Sequence, residues 1–342
     1  MFGTALPAIS ALLHTDHANP SASRAGLIGL APMEGVIDVT TRRLLCAKGG
    51  LDWVVTEFVR VVDQPLPARV FHRLCPELAQ GAITPNGTPV QLQLLGSDPA
   101  AMAENARIAV SCGAPALDIN FGCPAKTVNR HGGGASMLKS PSDIYATVAA
   151  VCRAVPHIPV SAKLRLGFED RQLALQCAAA AVRGGAQWLT LHARTRKEGY
   201  RPPAHWEWIN RVRHHVKVPI VANGDIWTLE DYWQARALSG CRHVMLGRGL
   251  LSDPLLAARI RHWQHTGAQL PATQWTERAA VLREFVMNLS DDLPEKVVLS
   301  LVKQWLSLMR QHDKETDKRF VYLRTLRHID ALLDALEGPI TP

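Results

Sequence analysis

The stretch Ala116–Lys126 reads ALDINFGCPAK, and three glycines, Gly132–Gly134, follow it closely. Its first five residues are mostly apolar with polar side chains near the end, a pattern that predicts a short buried strand. The strand breaks at Gly122 and presents Cys123, followed by a proline, in a loop. Cysteine usually behaves as a small buried hydrophobe. The glycine–proline setting beside Asn120, with a lysine following, instead favours a reactive thiol.

Outward from this stretch, apolar strands alternate with polar turns and amphipathic helices. Such alternation implies right-handed crossovers and a parallel sheet. Eight units within roughly 240 residues match the size of a closed (β/α)8 TIM barrel. A doubly wound sheet would more often have a G-x-G-x-x-G turn after its first strand, and APMEG stands there instead. The predicted strands cover residues 27–32, 52–58, 90–96, 116–122, 159–167, 187–193, 218–224 and 243–249.

The barrel predicts where the chain divides. Residues 1–25 read as a disordered N-terminal extension, with a signal peptide as a minor possibility, since no basic segment precedes their apolar run. Residues 26–265 form the catalytic barrel, and Asp253-Pro254 reads as an N-cap and first-turn proline of its last helix. Residues 266–342 form a small, all-helical C-terminal domain, where an apolar stripe at helical spacing crosses 294–311.

Composition limits the class of protein. Hydrophobic residues are 47% of the 342 and charged residues 20%, as in an ordinary globular protein. The net charge of +8 favours a polyanionic partner, and residues 1–265 account for it, with 28 Lys/Arg against 19 Asp/Glu. Seven cysteines without a C-x-x-C pair argue against disulfides and metal sites and favour the cytoplasm. No apolar run is long enough to span a membrane, and a monomer is the default expectation.

A barrel also predicts where functional residues lie, because active sites sit at the carboxyl ends of the strands. The loops after strands 7 and 8 often bind phosphate, and Asn223-Gly224-Asp225 and Gly247-Arg248-Gly249 stand there. Lys163, on strand 5, would place a cation over the barrel centre, where it can stabilise charge on a reduced flavin ring. Gln93 can hydrogen-bond the edge of such a ring.

These segments together resemble the tRNA-dihydrouridine synthases from about Leu27 to the C-terminal helices. The resemblance rests on APMEGVID, TEFVR, QLQLLG, DINFGCPAKTVNRHGGGASML, KLRLG, LHART, ANGDI and MLGRG. The GCP-x-K segment with its glycine triplet is the most specific part, whereas LGRG and ANG recur in other flavin barrels. The glutamate of APMEG, TEFVRVVDQ and VKQWLSLMR are most similar to the subfamily that acts on uridine 16 of the D-loop.

The resemblance implies an oxidoreductase that contains FMN, uses NADPH and reduces the C5–C6 bond of a tRNA uridine to 5,6-dihydrouridine. Hydride from reduced FMN would enter C6, and Cys123 would be the catalytic acid that gives a proton to C5. The implied FMN ligands are Pro32, Met33, Glu34, Gln93, Lys163, His192, Asn223, Gly224, Asp225, Gly247 and Arg248. The implied contacts with tRNA or its extruded uracil are Arg60, Asn120, Arg165, Lys303 and Arg324.

Two alternatives stay open at this stage. A flavin-dependent dehydrogenase of a free pyrimidine base would explain the cofactor residues, but not the basic barrel or the cationic faces of the helical tail. A tRNA-binding protein without redox chemistry would purify without a yellow flavin. The sequence fills every cofactor position of the family, which disfavours this second alternative.

Overall fold

The computed structural model of the chain describes residues 10, 11, 13, 26–130 and 132–338. Eight parallel strands form a closed barrel in chain order, and β8 pairs with β1 to complete it. This architecture confirms the predicted (β/α)8 TIM barrel. The strands are β1 Ile28–Leu30, β2 Trp53–Arg60, β3 Val90–Leu95, β4 Leu117–Phe121, β5 Val160–Arg165, β6 Leu189–His192, β7 Ile220–Asn223 and β8 His243–Leu246.

Helices cover the outside of the barrel and shield the outer faces of the strands. Within the described residues, no helix is both long and apolar enough to cross a lipid bilayer. Short 3-10 helices occupy Pro76–Gln80 and Gly134–Lys139. The α-helices of this part are α1 Val39–Ala47, α2 Ala68–Leu74, α3 Pro99–Ser111, α4 Lys126–Arg130, α5 Pro141–Ala154, α6 Ala174–Arg183, α7 Trp206–His215, α8 Leu229–Ser239, α9 Arg248–Ser252 and α10 Leu256–Thr266.

The start of α10 differs slightly from the predicted one. Leu255, not Asp253, is the N-cap residue. The Asp253 carboxylate still supports this end of the helix, because it accepts a hydrogen bond from the Leu255 N–H at 3.1 Å. It also accepts one from the Thr273 hydroxyl at 2.6 Å and pairs with Arg259 at 2.7 Å. Asp253 therefore joins the end of the barrel to the segment that follows it.

Four helices follow the barrel and pack against it: α11 Trp275–Ser290, α12 Glu295–Met309, α13 Lys314–Leu323 and α14 Ile329–Glu337. The apolar stripe predicted on α12 is confirmed, since Val298, Val302 and Met309 are fully buried. The Trp305 indole of this stripe donates to the Leu251 carbonyl of α9 at 2.8 Å. The helical tail thus contacts the same short helix that begins at the barrel mouth.

The opposite end of the barrel contains part of the N-terminal segment. The structure describes Ser10, Ala11 and Leu13 of residues 1–25, and all three are helical. Leu13 is 1% exposed and packs in a cluster with Trp53 and Trp188, and Ser10 hydrogen-bonds the Gln187 side chain at 2.8 Å. At these positions the structure differs from the predicted disorder, because the apolar side chain is buried. The rest of the predicted extension lies outside the described residues.

Candidate active site

A cavity of about 660 Å³ opens at the carboxyl ends of the strands. Its place agrees with the general rule that barrel enzymes build their sites on the loops at this end. The volume is within the usual range of small-molecule and cofactor pockets. The predicted site residues that line it are Pro32, Met33, Glu34, Asn120, Cys123, Lys163, Arg165, His192, Asn223, Gly224, Asp225, Gly247 and Arg248.

The loop after β4 fixes Cys123 at the cavity wall. The Asn120 side-chain oxygen accepts hydrogen bonds from the backbone N–H groups of Gly122 and Cys123, at 2.8 and 2.9 Å. The Cys123 carbonyl accepts from the Asn129 amide at 3.0 Å and from the Ala135 N–H at 3.1 Å. The backbone of the cysteine is therefore held from both sides.

Burial keeps this thiol protonated. Cys123 is 7% exposed, and desolvation raises the pKa of its thiol above the usual range. The Ala125 backbone N–H and the charges of Arg165 and Arg60 oppose this shift, while Glu34 adds to it. The net effect is a raised pKa, so the Cys123 side chain is a protonated thiol at neutral pH and can donate a proton.

Gly134, the last residue of the glycine triplet, packs closely against the Cys123 loop. Gly134 has φ +60°, a conformation that side chains disfavour, and a Cβ there would lie 3.0 Å from the Cys123 carbonyl oxygen and 3.2 Å from its Cβ. A residue with a side chain would push against the cysteine. Close packing against the cysteine thus explains the glycine at position 134.

Lys163 lies on β5 and His192 on β6, where His192 pairs in register with Arg165. The Lys163 ammonium donates to the Asn223 side-chain oxygen at 2.9 Å. Burial and the nearby Arg165 lower the pKa of Lys163 to about 8, although Asp118 opposes the shift. Burial and the same cations hold the pKa of His192 well below its usual value, so its ring is neutral. Among the described residues, His192 Nδ1 has no hydrogen-bond partner.

Arg165 ties two loops together beside the thiol. Its guanidinium donates to the Gly122 carbonyl at 2.8 Å, to Gly199 at 2.9 Å and to Thr195 at 3.2 Å. These bonds use part of its five-donor fork and leave the remainder for a ligand. Arg165 therefore both supports the Cys123 loop and presents a cation to the cavity.

Asp225 and Arg248 form the charged end of the cavity. The Asp225 carboxylate receives two hydrogen bonds from the buried Arg194 and lies 3.6 Å from Arg248. Asp225 has φ +52°, and Gly224 before it has φ +115°. The Arg194 pair thus holds the turn in an uncommon conformation and offsets the acidic charge. Arg248 is left with a net cationic face toward the cavity.

Gln93 lies beneath this cavity and is not among the residues that line it. Its side chain is wholly buried. Its amide donates to Asp118 at 2.6 Å, and its oxygen accepts from Asn120 at 2.8 Å. A contact between Gln93 and a cofactor ring stays a prediction. The structure places Gln93 in a hydrogen-bond network that the sequence did not indicate.

The three remaining predicted tRNA contacts lie outside the cavity. Arg60 is exposed at the end of β2, with its guanidinium 3.5 Å from the Thr127 carbonyl. Lys303, on α12, is half-buried and donates to the Leu326 carbonyl at 2.5 Å. Arg324 is exposed where α13 ends. Through the Leu326 carbonyl, Lys303 contacts the segment that follows Arg324.

Aromatic residues that the sequence did not single out complete the rim. The Arg248 guanidinium lies 4.5 Å from the Tyr200 ring centre and 4.9 Å from that of Trp227. Trp227 stacks on His312 of the helical tail, with ring centres 3.4 Å apart. Sequence reasoning missed these residues because they come from three separate loops. Within the described part of the chain, no group of three or more His, Cys, Asp and Glu side chains suits a metal ion.

Comparison with known proteins identifies the family of this chain. The family model described as "Dihydrouridine synthase (Dus)" matches residues 29–337. The chain is 49% identical over 298 residues to the tRNA-dihydrouridine(16) synthase of Pseudomonas putida, which covers 87% of this chain and 92% of that protein. It is 44% identical over 309 residues to the enzyme of the same name from Neisseria meningitidis serogroup B, with 90% and 92% covered.

A solved structure supports the fold alone. The 2-naphthoyl-CoA reductase complex superposes with a TM-score of 0.52 at 10% identity, over 69% of this chain and 50% of that one. The family match and the relatives, in contrast, extend over nearly the whole chain. The chain therefore belongs to the dihydrouridine synthase family, the oxidoreductases that reduce uridine in tRNA to dihydrouridine.

Proposed function

We propose that this chain reduces uridine 16 in the D-loop of tRNA, with bound FMN as cofactor and NADPH as reductant. The observation that supports this most is the buried, protonated Cys123 at the wall of a cationic cavity. The position in tRNA is taken from relatives named tRNA-dihydrouridine(16) synthase. The finer assignment thus rests on their names, and the chemistry rests on the site.

The residues present fit a phosphorylated flavin. Lys163 and Arg248 supply positive charge at two separate points of the cavity. Gly224 leaves room for the His192 ring, because a Cβ there would lie 3.2 Å from the ring carbon Cδ2, and among the described residues His192 Nδ1 has no hydrogen-bond partner. We assign to FMN the residues Pro32, Met33, Glu34, Gln93, Lys163, His192, Asn223, Gly224, Asp225, Gly247 and Arg248.

When bound, reduced FMN supplies the hydride that enters C6 of the uracil. C6 is conjugated to the C4 carbonyl, so its reduction leaves negative charge on C5 and O4. The Cys123 thiol then gives its proton to C5, which burial makes possible by raising the pKa of the thiol. The resulting thiolate regains a proton from solvent.

Two residues are assigned to hold the uracil for this step. Asn120 has one amide hydrogen left after its bond to Gln93, and Arg165 has donors left after its bonds to the loops. Both line the cavity next to Cys123. A uridine in folded tRNA reaches them only when it is extruded from the stack, which costs a few kcal/mol.

The surface outside the cavity is assigned to tRNA. Arg60, Lys303 and Arg324 are the contacts that we propose; Arg60 belongs to the basic barrel, and residues 266–342 contribute Lys303 and Arg324. Phosphate contacts of this kind position an RNA without reading its sequence. A cytoplasmic location and a monomeric state stay predictions, and the tRNA substrate supports the first of them.

Half-reactions of the purified protein test this proposal. We expect a yellow flavin that NADPH bleaches and that an unmodified tRNA transcript restores under anaerobic conditions. If free uracil restores the colour as fast as tRNA does, the protein is a dehydrogenase of free pyrimidines. If it binds tRNA but holds no flavin after incubation with FMN, it is a tRNA-binding protein without redox chemistry.

A further inference from the structure

Asp118 is a buried carboxylate that lines no part of the cavity. It lies on β4 and is 2% exposed. One of its oxygens accepts a hydrogen bond from the Ser161 hydroxyl at 2.5 Å, and the other accepts one from the Gln93 amide at 2.6 Å. Burying a carboxylate is costly unless it is paired and hydrogen-bonded. We therefore expect a carboxylate that is buried beneath the cavity to have a function there.

A chain of hydrogen bonds, each donated toward Asp118, links the Cys123 loop to this carboxylate. An ionised carboxylate only accepts hydrogen bonds, so Gln93 must turn its NH₂ group toward it. The Gln93 oxygen then accepts from the Asn120 NH₂ at 2.8 Å. This leaves the Asn120 oxygen for the backbone N–H groups of Gly122 and Cys123. One acceptor thus sets the orientation of two amides and of the loop that presents the thiol.

The same carboxylate balances the charge of Lys163. Ser161 and Lys163 lie two residues apart on β5, and they pair in register with Asp118 and Asn120 of β4. The charged groups that act on Lys163 are Asp118, which raises its pKa, and Arg165, which lowers it. His192 is its neutral neighbour on β6. Asp118 is the acidic group in this set.

Asp118 is ionised under working conditions. Burial raises the pKa of Asp118 to about 6, while hydrogen bonds from Ser161 and Gln93 and the charge of Lys163 oppose the shift. At pH 7.5, above this value, the carboxylate is the dominant form. It then acts as an acceptor on both oxygens and as a negative charge.

We propose that Asp118 is a positioning residue, which acts through Gln93 to orient Asn120 and the Cys123 loop and provides the buried counter-charge of Lys163. This inference rests on the proposed function for its kinetic consequences, because Cys123 and Asn120 are assigned there to uracil. The network itself is independent of that function.

Two variants separate the two roles. Asp118→Asn removes the charge and one acceptor oxygen, whereas Gln93→Met removes the link to Asn120 and keeps the charge. Ser161→Ala is the matched control, since it deletes one hydrogen bond to the same carboxylate and leaves both the link and the charge. Circular dichroism first establishes that each variant is folded, and flavin content establishes how much of it contains the cofactor.

The kinetic readout is the rate at which tRNA reoxidises the NADPH-reduced holoenzyme at pH 7.5. We expect Asp118→Asn to slow this step about tenfold or more, because misplaced reacting groups are costly. Ser161→Ala is expected to slow it by less than about threefold. Equal rates in Asp118→Asn and the wild type would overturn the proposal.

The pH profile tests the counter-charge. The rate should decline as pH rises through the Lys163 pKa of about 8, where the lysine loses its proton. Without the negative neighbour that pKa is lower, so the alkaline limb moves to lower pH in Asp118→Asn. Gln93→Met keeps the charge and should leave the limb in place. A limb that does not move in Asp118→Asn removes the counter-charge role.

A third readout needs no turnover. Alkylation of Cys123 by iodoacetamide, mapped by mass spectrometry and normalised to the half-buried Cys112 of the same molecule, reports on the loop. We expect both Asp118→Asn and Gln93→Met to accelerate it about threefold or more, because the Asn120 amide is no longer oriented. Unchanged alkylation in both variants would refute the positioning role. If wild-type protein shows no reaction with tRNA but alkylation responds, the proposed function fails and the network stands.

Discussion

Cys123 shows how one environment turns a common side chain into an acid. All seven cysteines lie within the described residues, and Cys123 alone lines the cavity. Cys46, Cys75 and Cys177 are buried in the core, where desolvation raises the pKa of each to about 12. Burial also raises the pKa of the Cys123 thiol, but this side chain lines the cavity. Burial keeps the Cys123 thiol protonated, and its position at the cavity wall allows it to act as an acid.

Replacing this thiol should remove the proton donor and little else. We predict that Cys123→Ala lowers turnover on unmodified tRNA about 100-fold or more, the range for loss of a general acid. FMN content and tRNA affinity should stay within about twofold. Cys152→Ala, which alters a half-buried cysteine of α5, is the control and should keep normal turnover. Near-normal turnover of Cys123→Ala would exclude the thiol from the mechanism.

Single residues were predictable where the barrel rule applies. Cys123 and Arg248 come just after β4 and β8, and Lys163 lies near the end of β5, so their place at the mouth could be read from the sequence. Asp118 was not singled out, although a carboxylate between Leu117 and Ile119 in a buried strand is itself a signal. The sequence could not show that hydrogen bonds would hold Gln93 below the cavity, because those bonds come from a neighbouring strand.

At the scale of elements, the loop after β4 and the 3-10 helix Gly134–Lys139 pack as one unit. The Cys123 carbonyl accepts the Ala135 N–H at 3.1 Å. A Cβ at Gly134 would meet the Val128 side chain at 2.9 Å as well as the cysteine. The loop is therefore held by contact with a second element and not only by its own turn.

Gly134→Ala should disturb this unit. Gly87 is the matched control, because it also has positive φ, at +87°, but a Cβ there meets nothing within 4 Å. Both changes incur strain of about 1 kcal/mol. We predict that Gly134→Ala loses a further 1–3 kcal/mol or so in chemical unfolding and about tenfold in turnover. Equal losses in the two variants would show that the close contact has no effect.

A buried ion pair joins α1 to the 3-10 helix Pro76–Gln80. The Arg42 guanidinium donates to Glu77 at 2.6 and 3.0 Å, and both side chains are about 1% exposed or less. Glu77→Gln should lower the free energy of unfolding by about 3 kcal/mol, because the buried arginine loses its charged partner. Glu104→Gln, in the exposed pair with Arg107, should change it by under about 1 kcal/mol. Similar small losses would show that the buried pair adds no stability.

Strands were predictable as elements because turn residues bound each apolar run. All eight lie where they were expected, but several are shorter, as β6 shows with Leu189–His192 inside the predicted 187–193. Apolar side chains continue past the last ladder hydrogen bond, so hydropathy overstates the ends. The course of the rim loops with Tyr200 and Trp227 depends on tertiary contacts, which local patterns do not contain.

At the scale of the molecule, charge and packing join the barrel and the helical tail. The first 265 residues contain the excess of cations. The tail contacts them through Trp305 and through the ion pair between Lys48 and Glu284. The barrel and the helical tail are therefore packed together, so a polyanion that binds both is a prediction that Arg324 can test.

Arg324 is the exposed tail cation whose removal tests this surface. We predict that Arg324→Ala weakens tRNA binding several-fold and reduces the salt slope by about 0.7–0.9, because fewer counterions are released. Flavin reduction by NADPH should not change. Arg107→Ala, on the barrel helix α3, serves as the control and should keep the wild-type slope. An unchanged affinity for Arg324→Ala would place that arginine outside the tRNA surface.

The most direct test is mass mapping of D-loop fragments from an unmodified tRNA transcript incubated with the protein, FMN and NADPH. We predict a gain of two hydrogens on uridine 16. The same gain at another uridine would keep the reaction and contradict the assigned position. If protein that holds reducible flavin adds hydrogen to no uridine, the proposed reduction of tRNA is wrong.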